Sequence, residues 1–470
     1  MAGSSLAGRP GNLTSDQEEK LQEMWTATLS VFGVAVLNDD VDEDDSDSPD
    51  HPEPRATAKT QEPDKKKKKR TMFGRKKGDD SASEKANNVS AAAGDDKYGQ
   101  TKAYQHLLDS QSPEDIRKAF WSMVKHDNPD GLLLRFLRAR KWNVQNALIM
   151  LVAAMHWRMQ EMHVDDDIVR RGEGGSLEDS KSSNKAVQKD GEDFLAQMRL
   201  GKSFLHGTDR EGRPMCFVRV RLHKQGDQTE TSLERYTVYT IETARYLLTS
   251  NIDTAAIVFD MTDFSMANMD YAPVKFMIKC FEANYPESLG VVLVHKSPWI
   301  FHSIWKIIKG WLDPVVASKI HFTKNLEELE TFIEKSHIPR ELGGDDPWSY
   351  HYVEPVSGEN QVMSDDSTKQ QLLDERAALV KEYEVTTQHW IRDAKSRTTL
   401  QQKRTELTER LRTSYWKLDP YLRARSLYDR TGMIREGGAI VFYEPAKTAG
   451  VGSAAINGPI SAGHQAGDVD

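Results

Sequence analysis

From Ser112 to Met162 apolar residues recur at helical spacing, first through LLLRFLRARK and then through VQNALIMLVAAMHWRM, where Ala147, Leu148, Leu151, Met155 and Arg158 follow the helical period. The pattern predicts a small all-helical module over residues 112–162. From Phe204 onward the period changes. SFLHG, the turn DREGRP and MCFVRVR read as a hairpin. SLERYTVYTIETARYLLTS follows, with apolar or small residues at 233, 236, 240, 244 and 247 on one helical face. Next come the strand AAIVFDM, the helix DYAPVKFMIKCFEANY with Pro273 tolerated in its first turn, the strand GVVLVH, a tryptophan-rich helix, the short strand IHFT and the helix NLEELETFIEK. Strand and helix in alternation, with continuously apolar strands, predict an α/β domain over residues 194–350 whose mainly parallel sheet is covered by helices.

The flanks read differently. EGGSLEDSKSSNKAVQKDGED, residues 173–193, has the composition of an inserted loop. A helical extension is expected over 367–445, because Leu372, Leu379, Tyr383 and Trp390 make a recurring stripe that would pack on the α/β domain or on a partner. Within it GGAIVFYEP is a candidate extra strand, and residues 446–470 form a disordered tail. Residues 1–100 are expected to be a largely disordered extension with one helix, LQEMWTATLSVFGVAVL, announced by a capping box of Ser15 and Glu18. Beyond that helix lie the acidic block Asp39 to Asp50 and the basic block KKKKKRTMFGRKK from Lys65 to Lys77. Such blocks do not pack. They make a solvated tail or, since each basic residue near anionic lipid gains roughly 1 kcal/mol, a tether to a membrane surface; nuclear import and RNA contact rank behind these.

Composition narrows the class. In 470 residues only 38% are hydrophobic and 29% are charged, with a net charge of -9, which suits one large domain with appendages. Apolar runs such as VVLV fall far short of the roughly 18 residues of a membrane span, and no basic-then-apolar signal segment opens the chain. A cytoplasmic protein is expected. Cys216 and Cys280 read as buried thiols, and the sequons at Asn12 and Asn88 as chance matches.

An enzyme is the first reading to test on an open α/β sheet, whose ligands sit at the carboxyl ends of its strands. Neither G-x-S-x-G nor G-x-G-x-x-G follows a strand. In AQMRLGKS, Gly201, Lys202 and Ser203 imitate a phosphate loop, but Ala196 replaces its first glycine and a strand replaces its helix. His206, His295 and His302 lack metal-ligand spacing and read as structural. Asp260 with Asp263 reads as a turn rather than a catalytic pair. No catalytic residue, metal or cofactor is expected.

The tryptophan-rich segment raises a question of its own. If a helix starts after Pro298, Trp299, Trp305 and Trp311 are six apart and, at roughly 100° per residue, point in three directions. The motifs around it carry a resemblance. LLLRFLRARKWNVQNALIMLVAAMHWR, Phe259 to Asp263, Tyr285-Pro286-Glu287, Ser297-Pro298, Trp311-Leu312-Asp313-Pro314, Ser318-Lys319-Ile320 and IPRELGG at 338–344 resemble, in order, the signatures of the CRAL-TRIO lipid-binding family. The chain is most similar to its fungal phosphatidylinositol-transfer branch, and LDPYLRARSLYDRTG resembles an extension found in some members.

The resemblance implies a sheet that floors an apolar lipid pocket, and a non-enzymatic carrier with phosphatidylinositol as its bound ligand. It implies that the helix after GVVLVH is a gate, with Trp299, Ile300, Phe301, Ile304, Trp305, Ile308, Trp311 and Leu312 meeting lipid on more than one side; His302, Lys306 and Lys309 share one narrow polar wedge. The headgroup set it implies is Arg140, Lys141, Glu287 and Lys319, cations for a phosphodiester and a carboxylate for ring hydroxyls. Two positions depart from the family. Val316 replaces a hydroxyl residue three before the lysine, and Ala255 and Ile257 replace the Ser and Thr associated with choline lipids, which argues against phosphatidylcholine. The implied partners are phospholipid and a transiently touched membrane surface, with no nucleic acid; a protein partner through the terminal extensions is compatible. Two alternatives stay open. One is a regulator that presents phosphatidylinositol to a kinase or scaffold, and the other a carrier of a neutral apolar lipid such as a sterol or isoprenoid.

Overall fold

Most helices of the N-terminal half, though not α2 (Gln100–Ser110) or α6 (Val169–Asp179), open on side chains that satisfy their first amides. A computed structural model describes residues 6–34, 96–249 and 251–443. α1 (Ser15–Val31) is capped by Thr14, whose hydroxyl accepts from the Gln17 amide at 3.3 Å while the Gln17 side-chain oxygen accepts from the Thr14 amide at 3.1 Å. The capping box therefore lies one residue ahead of the Ser15 and Glu18 pair read from the sequence, because Thr14 holds the extended backbone that a cap requires. α2 (Gln100–Ser110) follows, and α3 (Pro113–Val124) and α4 (Pro129–Ala139) begin with proline behind the caps Ser112 and Asn128. α5 (Val144–His156) is apolar nearly all round and buried to match.

Residues 173–193 are not a loop. They form most of α6 (Val169–Asp179) and the first half of α7 (Lys185–Leu200), joined by a turn over 180–184, with α7 capped by Asn184. The polar composition misleads because Glu173, fully buried, accepts from the Tyr239 hydroxyl at 2.8 Å, the Tyr352 hydroxyl at 3.0 Å and the Leu427 amide at 2.8 Å, and pairs with Arg430. A buried carboxylate with four donors is satisfied inside the protein.

The α/β part runs β1 (Ser203–Thr208), β2 (Pro214–Arg219), α8 (Glu230–Tyr246), β3 (Ala255–Asp260), α9 (Tyr271–Lys279), β4 (Leu289–His295), α10 (Phe301–Lys309), α11 (Pro314–Ser318), β5 (Ile320–Thr323) and α12 (Leu326–Glu330). The strands lie side by side in chain order; β1 and β2 are antiparallel and the other neighbours parallel. Alternate residues serve opposite faces. Phe217, Val258 and Leu293 pack towards Leu329 and Ile333, while Cys216, Ile257 and Val292 face the other side, with Tyr236 and Tyr239 of α8.

The C-terminal extension closes the helical module. α13 (Asp366–Arg392) and α14 (Arg397–Leu422) pair, and α15 (Leu427–Arg430) ends the series. Trp25 of α1, fully buried, donates from its indole to Asp130 at 2.7 Å; the same carboxylate takes the Arg404 guanidinium at 2.5 Å and the Tyr383 hydroxyl at 3.0 Å. Glu384 receives Arg117 through two nitrogens and the Trp121 indole. The stripe through Tyr383 and Trp390 thus packs mainly on the N-terminal helices, and α1 is part of a core rather than an appendage. Among its described residues, to Tyr443, GGAIVFYEP adds no strand: Gly437 and Gly438, both with positive φ, turn the chain, and a single bridge joins Ile434 to Ile440. The acidic block, the basic block and the tail from 446 lie outside the described residues. No helix among the described residues is long and apolar enough to cross a membrane.

Candidate functional site

The end of α4 and the turn after it face the loops before β4 and β5 across a cavity of about 680 Å³. All four of the headgroup residues expected from sequence line it: Arg140, Lys141, Glu287 and Lys319. Lys319 Nζ donates to Glu287 Oε2 at 3.4 Å, and Arg140 donates to the Gln100 side-chain oxygen at 2.5 Å. Lys141 and Glu287 sit in the left-handed region, φ 51° and 55°, a conformation uncommon for side-chain-bearing residues and frequent where side chains must be aimed. Arg135, buried beneath them, donates to the Glu287 carbonyl at 3.0 Å and holds that turn in place.

Sequence reasoning missed a second ring of charge at the same cavity. Glu282, projecting from the turn after α9, accepts from Lys97 Nζ at 2.8 Å, the Tyr98 hydroxyl at 2.7 Å and the Asp313 amide at 2.6 Å. Lys97 also donates to the Trp311 carbonyl at 2.6 Å. Residues that enter from the N-terminal extension therefore clasp the exit of the tryptophan segment. Lys275 lies over the Trp311 ring at 4.8 Å. Nothing in the helical period of α9 marks Glu282 or Lys275 as different from a solvated face, so no local signal was available.

Beside this polar basin lies an apolar cavity of about 230 Å³, and Ile278, Phe281, Leu289, Leu312 and Val316 line both. Its floor is the sheet, through Ile257, Phe259, Val292, Val294 and Ile320; its roof is α10, through Phe301, Trp305 and Ile308. The tryptophan segment is not one helix with three tryptophans. α10 holds Trp305 alone; Trp299 precedes it, 82% exposed, and Trp311 follows it. Phe301, Ile304 and Ile308 are buried, whereas Ile307 faces outward with Ser303, His302, Lys306 and Lys309. Ile300 and Leu312 are half-buried at the two ends. Val316, the departure from a hydroxyl residue, is an apolar patch on the divide between the cavities.

The inner end of the apolar cavity is polar. Lys202, His223, Asn268 and Asp270 line it there. Burial pulls the Lys202 ammonium down to about 8, against the distant carboxylates of Asp227, Asp193 and Asp270. Burial, and then the Lys202 charge, also lower His223.

Sequence comparison places this architecture. Residues 102–153 match the CRAL/TRIO N-terminal domain and residues 198–344 the CRAL/TRIO domain. The CRAL-TRIO domain-containing protein C3H8.02 of Schizosaccharomyces pombe is 41% identical over 437 residues, covering 91% of this chain and 92% of the relative. The chain belongs to the CRAL-TRIO family. Also similar are the Phosphatidylinositol transfer protein CSR1 of Eremothecium gossypii, 39% identical over 458 residues, 93% of this chain and 100% of the relative, and the Sec14 cytosolic factor of S. pombe, 29% identical over 231 residues, 46% of this chain and 74% of the relative. The CRAL-TRIO family binds lipids. The histidines and the aspartate weighed as catalytic or metal candidates have structural partners. His206 meets Asp346 at 2.7 Å and stacks on Trp348, His295 meets Thr323 at 2.9 Å, and Asp260 takes the Thr262 amide and Arg221. Gly201 ends α7 in the left-handed region and Ser203 begins β1, so the phosphate-loop imitation is a helix-to-strand turn. Burial pushes the Cys216 thiol up to about 12, consistent with an inert thiol.

Proposed function

We propose that this protein extracts phosphatidylinositol from a membrane, carries it with its acyl chains in the apolar cavity, and releases it at another membrane. The observation that carries the reading is the convergence of Arg140, Lys141, Glu287 and Lys319 on one basin that abuts an apolar cavity roofed by α10. Arginine and lysine offer donors to the phosphodiester, and the Glu287 carboxylate accepts from inositol hydroxyls or orients Lys319. A relative of 39% identity bears the name of a phosphatidylinositol transfer protein, which supports the same lipid here.

Carriage needs no covalent step. Each acyl CH₂ exposed to water would cost about 0.8 kcal/mol, so the protein lowers the barrier by exchanging one apolar medium for another. The roof is built for that exchange, with Phe301, Ile304 and Ile308 inward and Trp299 and Ile307 outward, at the face that meets the membrane when α10 lifts. Membrane contact is accordingly transient and peripheral, made by a protein that otherwise resides in the cytoplasm.

The test is mass spectrometry of co-purified lipid together with transfer between vesicles. Lys319→Ala with Glu287→Ala is expected to lose bound phosphatidylinositol and to lower its transfer roughly ten- to hundredfold, the value of one or two charge-assisted hydrogen bonds. Wild-type protein that takes up no phosphatidylinositol from liposomes containing it would overturn the reading. Binding without transfer would instead make the protein a presenter of that lipid to a partner.

A further inference from the structure

The apolar cavity has a cation at its inner end that a lipid with plain acyl chains does not use. Lys202 is 5% exposed, at the turn between α7 and β1. Its ammonium donates to the Gln228 side-chain oxygen at 2.6 Å and meets His223 Nδ1 at 3.2 Å and the Gln197 side-chain oxygen at 3.4 Å. All three partners are uncharged at neutral pH, His223 because burial and its cationic neighbour keep it so. The carboxylates that act on Lys202 do so through charge rather than contact: Asp193 takes Lys189 and the Thr229 amide, Asp270 caps α9 through the Ala272 amide and meets His223 Nε2 at 3.4 Å, and Asp227 acts from the loop before α8. A buried cation whose direct acceptors are all neutral, with carboxylates acting on it only at longer range, gains from an oxyanion brought into contact with it.

We propose that Lys202, backed by His223, forms a second polar subsite that takes the carboxylate of a long-chain fatty acid lying along the apolar cavity. This rests on the cavity being a lipid cavity, and is independent of which headgroup fills the outer basin. The walls between the two ends, including Ile257, Val292 and Phe259, offer an alkyl chain continuous apolar contact. Two lipids of opposite orientation would then compete for the same apolar space, the phosphoinositide with its charge at Lys319 and the fatty acid with its charge at Lys202.

The experiment uses the full chain, stripped of lipid, with oleate, oleyl alcohol and methyl oleate as probes in native mass spectrometry and in competition against phosphatidylinositol. Oleate is expected to bind one per chain, to displace phosphatidylinositol, and to bind at least tenfold more tightly than the alcohol or the ester. Lys202→Met is expected to remove that tenfold preference while phosphatidylinositol uptake persists, and Lys202→Arg to keep it. Lys319→Ala is expected to lose phosphatidylinositol and retain oleate, which separates failure of this subsite from failure of the headgroup assignment. Equal binding of oleate and methyl oleate by the wild type overturns the proposal without recourse to any variant. So does a Lys202→Met protein that binds oleate normally.

Discussion

His126 shows at the residue scale how burial sets protonation. It is 4% exposed, packed among the rings of Tyr246, Tyr415 and Trp416, and burial lowers it to about 4. The unfolded chain takes up this proton near the ordinary 6.5 and the folded chain only near 4, so stability is full above 6.5 and falls as the pH drops between the two values. At 1.36 kcal/mol per pH unit the loss is at most about 3 kcal/mol. His126→Phe keeps the aromatic packing and is expected to flatten this part of the slope in urea unfolding at pH 4.5 against pH 7; an unchanged slope would exclude His126 as its source. His206, His223 and His295, lowered by the same cause, act in the same direction and leave the rest. At this scale Arg140, Lys141, Glu287 and Lys319 could be grouped from sequence only through the resemblance to family motifs, and the structure lines one cavity with all four, whereas no such motif pointed to Lys97, Glu282 or Lys202. Their meaning comes from partners up to hundreds of residues away, as with Lys97 and the Trp311 carbonyl 214 positions on.

Among the elements, α10 was legible as an unusual helix, but its boundaries were not. Spacing alone placed three tryptophans in it, whereas the backbone turns before Phe301 and after Lys309, and leaves Trp299 on the surface. That exposure makes a clean test. Trp299→Ala removes no buried contact and is expected to change stability by less than about 0.5 kcal/mol. It should weaken association with phosphatidylinositol-containing vesicles by roughly five- to thirtyfold, corresponding to about 1–2 kcal/mol of lost interfacial burial. Vesicle flotation measures this, and unchanged flotation would remove Trp299 from the contact. The α/β alternation survived scrutiny because apolar strands and capped helices are local signals. Residues 173–193 did not, because Glu173 is buried against α15 and Tyr352, contacts that no local composition encodes.

Over the whole molecule, the segments matched to the family, 102–153 and 198–344, share their core with residues outside both. Asp130 holds three donors, Trp25, Tyr383 and Arg404, two of which lie beyond residue 344. Protein ending at residue 350 is expected to be insoluble or to unfold without a cooperative transition in circular dichroism, since it leaves Asp130 without two of its partners and strips α3 to α5 of their cover; a sharp transition near that of the full chain would refute this. The sequence showed that helices follow residue 366, but not which surface they cover, because the stripe of α13 is equally suited to any apolar face. The same carboxylate bears on how the chain is born. Asp130 and Arg404 are separated by 274 residues, tens of seconds of synthesis at roughly 5–20 residues per second. During that interval the N-terminal helices leave the ribosome with a buried-type carboxylate and an unfinished apolar face, so the nascent chain must wait for its own last third, and chaperone dependence should be greatest in this window.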